Sequence, residues 1–388
     1  MTLFEAQKNQ IGVRPKRYSE PTYPYYRDSE RVGVSAIRDL LEIWFAEIPE
    51  TEKLDLKKRF RSPIELHHRA ALFELYLHRL LVSSGHTAEF HPVVENKATR
   101  PDFLATLGGR PRFYVEAVTV GDSQLTEVEE NRVNLVYDTL NVIESPDFFL
   151  SVSVDGAPSS SPSGAQLRKD LGRWLSSLDW SVVNAYYSSG DFASVPTYIW
   201  EHKGWKVEFE PIPKGPKTRG TKSVRAIALT APQKARRVSH DLMVREAVIS
   251  KNRYGKLTLP LLVAVQVVGD FPVDLYDVLN GLLGQESFVV RRDGSSWTER
   301  IANGAWVSRS GPQNTTVSAA AVWSTLVPWS FASVEPIMVH NPFAEIALSE
   351  TTLPITQHKV CDGKLQELKG CSISTALCLP ASWPPPVD

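Results

Sequence analysis

Two acids in otherwise strand-forming sequence are the first candidates for chemistry. The stretch RPDFLATLGGRPRFYVEAVTV, Arg100 to Val120, reads as two strands around a Gly-Gly turn, with Asp102 in the first and Glu116 in the second. Period-two alternation places Arg112, Tyr114, Glu116 and Val118 on one face of the second strand. Phe113, Val115, Ala117 and Thr119 take the other. A carboxylate buried there is expensive unless it is paired, protonated or bound to a cation. Asp102, on the neighbouring strand, can lie close enough to share one cation with Glu116. Two acidic oxygens with open positions left over are the donor set of Mg2+ or Mn2+ sites at phosphates. Such an ion lowers the pKa of a bound water and supports phosphodiester hydrolysis. The plainer alternative has Asp102 capping a turn after Pro101 and Glu116 paired with Arg100, Arg110 or Arg112.

The surrounding elements must position these acids. SPIELHHRAALFELYLHRLLVSSG, from Ser62, predicts a helix with Ser62 as N-cap, Pro63 in the first turn and Gly85 at the end. Leu66, Ala70, Phe73, Leu77, Leu80 and Leu81 form its apolar stripe, and Glu74 falls at the stripe's edge. A short strand, HTAEFHP, leads into the hairpin. A second helix over Thr126 to Glu144 and a strand over Asp147 to Val154 follow. Further on, strands are expected at VRAIALT and LPLLVAVQVV, around a helix over Val238 to Tyr254.

Glu74 on the leading helix, Pro101-Asp102 opening a strand, and Glu116 on the next strand resemble the PD-(D/E)XK nuclease superfamily. So does the order helix, three strands, helix, strand over Ser62 to Val154. The resemblance implies an α/β protein with a restriction endonuclease-like core and an appended α/β region. It implies Asp102 and Glu116 as ligands of Mg2+ (or Mn2+), with Glu74 assisting through water. The partner would be nucleic acid, DNA ahead of RNA, and the setting bacterial defence or repair. The superfamily's Glu-x-Lys is here Glu116-Ala117-Val118, and valine can neither orient water nor stabilise charge. Either a substitute comes from elsewhere, with Lys97, Gln124 and Arg132 as nominees, or the protein binds nucleic acid without cleaving it.

The domain reading is an N-terminal arm over 1–61, the nuclease-like core over 62–155, the appended region over 165–355 and a tail over 356–388. The appended region is either separate from the core or continuous with it. Pro211 to His240 carries eight basic residues and no acid. Lys214, Lys217, Arg219, Lys222 and Arg225 lie in its Gly- and Pro-rich first half, which suits contact with a phosphate backbone. The alternative is a solvated loop.

Composition sets outer bounds. With 388 residues, 42% hydrophobic and 22% charged, the chain is of ordinary globular make-up. A formal net charge of −1 gives no global polyanion signature. No secretory signal is read at MTLFEAQKNQ, and the longest apolar run, Leu259 to Val268, is about half of a membrane-spanning length. Only Cys361, Cys371 and Cys378 occur, which fits a reducing cytosol. Their spacing with His358 lacks a zinc knuckle, so free thiols on a poorly ordered tail are expected. Homodimer formation is left open.

Overall fold

The computed structural model of the chain describes all residues except 96–98, 122–126, 157–158, 161–162, 204, 221–225, 233–238, 381 and 386–388. The protein is α/β and divides into two compact units. Unit 1 comprises Met1–Arg14, Pro21–Asp122 and Val238–Asp388, and unit 2 comprises Pro15–Glu20 and Ser123–Arg237.

Unit 1 opens with α1 (Thr22–Asp28), α2 (Val32–Ala46), α3 (Glu50–Phe60) and α4 (Glu65–Ser83), then β1 (Thr87–Phe90), β2 (Phe103–Leu107) and β3 (Arg110–Gly121). Unit 2 holds α5 (Glu127–Leu140), β4 (Phe148–Asp155), α6 (Gly164–Ser177), α7 (Trp180–Ser189), β5 (Tyr198–His202), β6 (Trp205–Pro213) and β7 (Ile227–Pro232). The chain returns to unit 1 with α8 (His240–Lys251), β8 (Leu261–Val268) and α9 (Leu275–Leu283). Two short hairpins follow, β9 (Glu286–Val290) with β10 (Ser296–Arg300), and β11 (Val307–Ser308) with β12 (Gly311–Pro312). The last elements are β13 (Val317–Trp323), β14 (Ile337–His340), β15 (Gln357–Cys361), β16 (Lys364–Leu368) and α10 (Ile373–Ala376).

The main sheet of unit 1 runs β1-β2-β3-β8-β13-β14-β15-β16. β2 and β3 form the expected hairpin, and its turn needs left-handed backbone at two successive residues: Gly108 has φ 59° and Gly109 φ 75°. β8 pairs in parallel with both β3 and β13. Buried on both faces, β8 and β13 are almost continuously apolar, as central parallel strands require. Phe73, Tyr76 and Leu77 of α4 pack with Phe103, Phe113, Val115 and Ala264 on one face. Val244 and Val248 of α8 and Val278 and Leu282 of α9 pack with Val263, Val265 and Tyr114 on the other. The predicted alternation along β3 is therefore observed: Phe113 and Val115 face α4, while Tyr114 and Val118 lie with α8 and α9.

Three sequence expectations differ from the structure. The order helix, three strands, helix, strand occurs in unit 1 as α4, β1, β2, β3, α8, β8, whereas the helix and strand expected to complete it, α5 and β4, lie in unit 2. Residues 1–61 are not an arm. Phe4, Tyr23 and Phe60 pack ring against ring at 5.6 to 6.0 Å, and α1 to α3 belong to the core cluster of α4. The described part of the tail is folded too: β15 and β16 extend the sheet, and Ile373 and Leu377 are buried in that same core.

Unit 2 is a β5-β6-β4-β7 sheet. Trp205, Val207, Phe209, Leu150 and Val152 pack with Val136 and Leu140 of α5 and Leu167 and Leu171 of α6. Among the described residues, no helix is long and apolar enough to cross a membrane.

Candidate active site

The antiparallel register of the hairpin brings the two strand acids together. Phe103 pairs with Val115, so Asp102, one residue before β2, comes beside Glu116. The Asp102 carboxylate is held in place because its Oδ2 accepts from the Ala117 amide at 2.7 Å. Glu116 is only 1% exposed and lies on the face of β3 that α8 covers.

The cation that meets Glu116 comes from the last turn of α8. Lys251 Nζ donates to Glu116 Oε2 at 2.7 Å, with the lysine side chain 15% exposed. The other oxygen, Oε1, is buried and receives no hydrogen bond. Arg253 Nη2 lies 3.7 Å from it, beyond hydrogen-bond length. Burial pushes the Glu116 carboxyl up to about 7, the facing Asp102 carboxylate adds to the rise, and Lys251 opposes both. The two carboxyl groups face each other closely enough to share a proton, so that proton, or a cation in its place, is the natural partner of Oε1.

α8 is held where Lys251 can reach. It packs against α9 at Gly281, where a Cβ would sit 2.5 Å from the Asp241 carbonyl oxygen and 3.2 Å from Val244 Cβ. Next to Lys251, Asn252 donates to Asn314 Oδ1 at 2.6 Å, which ties the end of the helix to the segment before β13. Lys251 in the last turn also suits the negative end of the helix dipole.

Glu74 takes a different place. Both of its oxygens are engaged by Arg59 of α3, at 2.5 and 2.7 Å, so it ties α3 to α4. Burial pushes its carboxyl up, Arg59 opposes the rise, and Asp102 contributes to it electrostatically. The structure thus brings Asp102 and Glu116 together and gives Glu74 a guanidinium in place of open coordination positions.

The nominated lysine substitutes fare differently again. Lys97 and Gln124 lie outside the described residues, and Arg132 is on α5 in unit 2. Lys251 was not among them. One signal for it was available in the sequence: LPLLVAVQVV is apolar throughout, as a strand lying parallel to and beside β3 must be, whereas FFLSVSVD alternates. That contrast marks the helix before LPLLVAVQVV as the one that crosses over the acids.

Of the basic stretch, Lys214 is buried at 1% exposure, donates to the Ser145 carbonyl at 2.6 Å and lies over the Phe149 ring, and burial pushes its ammonium pKa down. It is a structural lysine of unit 2. Arg219 pairs with Asp147 at 2.7 Å and stacks on Trp180. Lys217 is exposed, and Lys222 and Arg225 lie outside the described residues. The thiols of Cys361, Cys371 and Cys378 are free.

Among the described residues, no group of three or more His, Cys, Asp or Glu side chains could hold a metal. What the site offers a cation is smaller: Glu116 Oε1, which accepts no hydrogen bond, and the facing Asp102 carboxylate. That donor set fits Mg2+, which keeps several waters and takes one or two carboxylates, better than it fits an ion needing a full protein cage. Compared with known proteins, the chain matches no family model, no curated protein and no solved structure.

Proposed function

We propose that Asp102, Glu116 and Lys251 form the centre of a metal-dependent nuclease that hydrolyses phosphodiester bonds, with DNA as the first substrate class and RNA the second. The observation that carries this reading is the half-satisfied Glu116. A buried carboxylate held on one side by Lys251 and left unbonded on the other, facing a second acid, is unfavourable as a structural device. As a ligand it is prepared in advance.

Mg2+ bound by Glu116 Oε1 and Asp102 would polarise a phosphate and acidify a water. The remaining work falls to the chain. The Ala117 amide fixes the Asp102 carboxylate, so its orientation costs nothing when charge is bound. Lys251 opposes the rise that burial and Asp102 impose on Glu116, and its ammonium would stand beside the negative charge that develops on phosphorus-bound oxygens. This is the task that Val118, beside Glu116 on the strand, cannot perform. Water adds across a P–O ester bond, leaving a phosphomonoester on one end and a hydroxyl on the other. Glu74, saturated by Arg59, acts through the packing of α4 rather than on water.

A plasmid-nicking assay with Mg2+ or Mn2+ tests the reading directly. The wild-type chain is expected to nick, and Asp102→Ala, Glu116→Gln and Lys251→Ala to lose that activity. A folded wild type with no metal-dependent cleavage of any DNA or RNA would sink it and leave a binding protein in its place.

A further inference from the structure

Lys251 and Arg253 stand two residues apart at the end of α8, and they are used differently. Lys251 is committed to Glu116 Oε2 at 2.7 Å. Arg253 reaches toward the same carboxylate, but its closest approach is 3.7 Å and its side chain is 49% exposed. An arginine that served only to neutralise Glu116 would close that gap, because guanidinium–carboxylate pairs gain most of their strength from two short parallel hydrogen bonds. Arg59 makes such a pair with Glu74 elsewhere in this unit.

The backbone around Arg253 is anchored, while its head group makes only a loose contact over the Tyr254 ring, 6.0 Å from the centroid. Asn252 before it is bonded to Asn314, the Arg253 amide donates to the Lys251 carbonyl at 3.0 Å, and Tyr254 after it is wholly buried. The guanidinium is therefore a half-exposed group on an anchored base, 3.7 Å from Glu116 Oε1. The segment from Lys251 to Pro260, KNRYGKLTLP, adds the exposed Lys256 and contains no acid.

We infer that Arg253 is the phosphate-contacting residue of this site, with Lys256 as a second, weaker contact on the same loop. The inference rests on the nuclease reading for the identity of the ligand, a phosphodiester backbone. When a cation occupies Glu116 Oε1, the guanidinium loses the one carboxylate neighbour it has among the described residues and is left to bind an anion. The planar fork matches two phosphate oxygens, whereas Lys256 offers a point charge.

The test uses the full chain, a fluorescein-labelled DNA duplex and its single strand. Anisotropy is read across a salt series with Ca2+ present, nicking is read with Mg2+, and Mn2+ affinity and Tm are measured separately. Arg253→Ala is expected to weaken DNA binding by roughly ten- to a hundredfold, as for a lost charged hydrogen bond. It should make the log–log salt slope shallower by about 0.9. Its Mn2+ affinity is expected to stay unchanged or tighten, and its Tm to stay close to wild type. Arg253→Lys should keep the salt slope and recover only part of the affinity.

Unchanged DNA affinity and salt slope in Arg253→Ala would overturn the inference while leaving the metal site standing. A fall in Tm or Mn2+ affinity with no change in DNA binding would also overturn it, by assigning Arg253 to the fold or to the metal. A wild type that binds DNA but does not cleave it removes the catalytic reading alone. A wild type that binds neither DNA nor RNA removes both.

Discussion

Glu74 and Glu116 are both drawn into the interior of unit 1, and each meets a basic side chain from another helix. Arg59 closes on both oxygens of Glu74, so nothing is left for a ligand and the pair fastens α3 to α4. Lys251 closes on one oxygen of Glu116 and leaves the other buried without a hydrogen bond, opposite Asp102. An arginine fork can saturate a carboxylate, while a lysine point charge cannot do so alone. The same residue type at similar depth therefore becomes a strut in one corner and a candidate ligand in the other.

The sharpest way to break this contrast is to remove the two bases in parallel. Lys251→Ala is expected to lower nicking by about 10²–10³-fold, the usual cost of deleting one preorganised electrostatic group. Arg59→Ala, assayed below its melting temperature, should nick at close to the wild-type rate. Equal losses in the two variants would erase the distinction between strut and site. Glu74→Gln sharpens the same point: activity close to wild type is expected, and a loss as large as that of Asp102→Ala would return Glu74 to the chemistry.

Stability should report the strut even where nicking does not. Arg59→Ala leaves Glu74 without its partner, and removing one member of a well-buried pair costs about 3–5 kcal/mol. The Arg59 side chain is 31% exposed, so solvent screening brings the expectation down to roughly 2–3 kcal/mol in denaturant unfolding. A change below about 0.5 kcal/mol, the scale of an ordinary surface substitution, would show that the α3–α4 tie is ornamental.

The hairpin half of the site was legible from local pattern, and the helix half was not. Alternation along β3, the Gly108-Gly109 turn and the proximity of Asp102 to Glu116 all follow from contacts only a few residues apart. Lys251 is separated from Glu116 by 135 residues, and unit 2 is inserted between them. No periodicity within a window of a dozen residues reports a pairing of that range. Local pattern closes the core on the nearest helix and strand, α5 and β4, and so points away from α8, where Lys251 lies. The partner of Glu74 was out of view for a related reason: Arg59 lies on α3, within the 1–61 segment read as an arm.

The pH dependence of folding tests Glu116 directly, on top of a decline of the same sign from Glu74, whose carboxyl burial also pushes up. Glu116 titrates near 7 in the folded protein, against 4.5 for an ordinary glutamate. Between those values the folded state holds a proton that the unfolded chain has released, so stability falls as pH rises through that window. The contribution is full below about 4.5 and lost above about 7, with a size of about 3 kcal/mol. Glu116→Gln should make the decline between those pH values shallower, leaving the part that Glu74 contributes. Mn2+ added at the high-pH end should restore stability to the wild type and not to the glutamine variant. A wild-type profile without that decline would mean that Glu116 is ionised at no cost, and the case for a prepared ligand would weaken with it.

The smallest expected effect tests whether the position of α8 itself matters. Gly281 is where α9 meets α8, and the Cβ of an alanine there would fall 2.5 Å from the Asp241 carbonyl oxygen. Backbone cannot yield as a flexible side chain can, so α8 must shift outward or α9 must tilt. Overpacking of this kind costs about 1–3 kcal/mol. The shift would act on Lys251 at the far end of α8 and on Glu116 Oε2 through it, but would leave Arg59 and Glu74 alone. Gly281→Ala is therefore expected to slow nicking several-fold while the Arg59-dependent part of the stability stays intact. That part is read as an unchanged stability loss when Arg59→Ala is added, since distant, independent sites add. Full activity in Gly281→Ala, with the stability loss present, would show that Lys251 finds Glu116 without help from the α8–α9 contact.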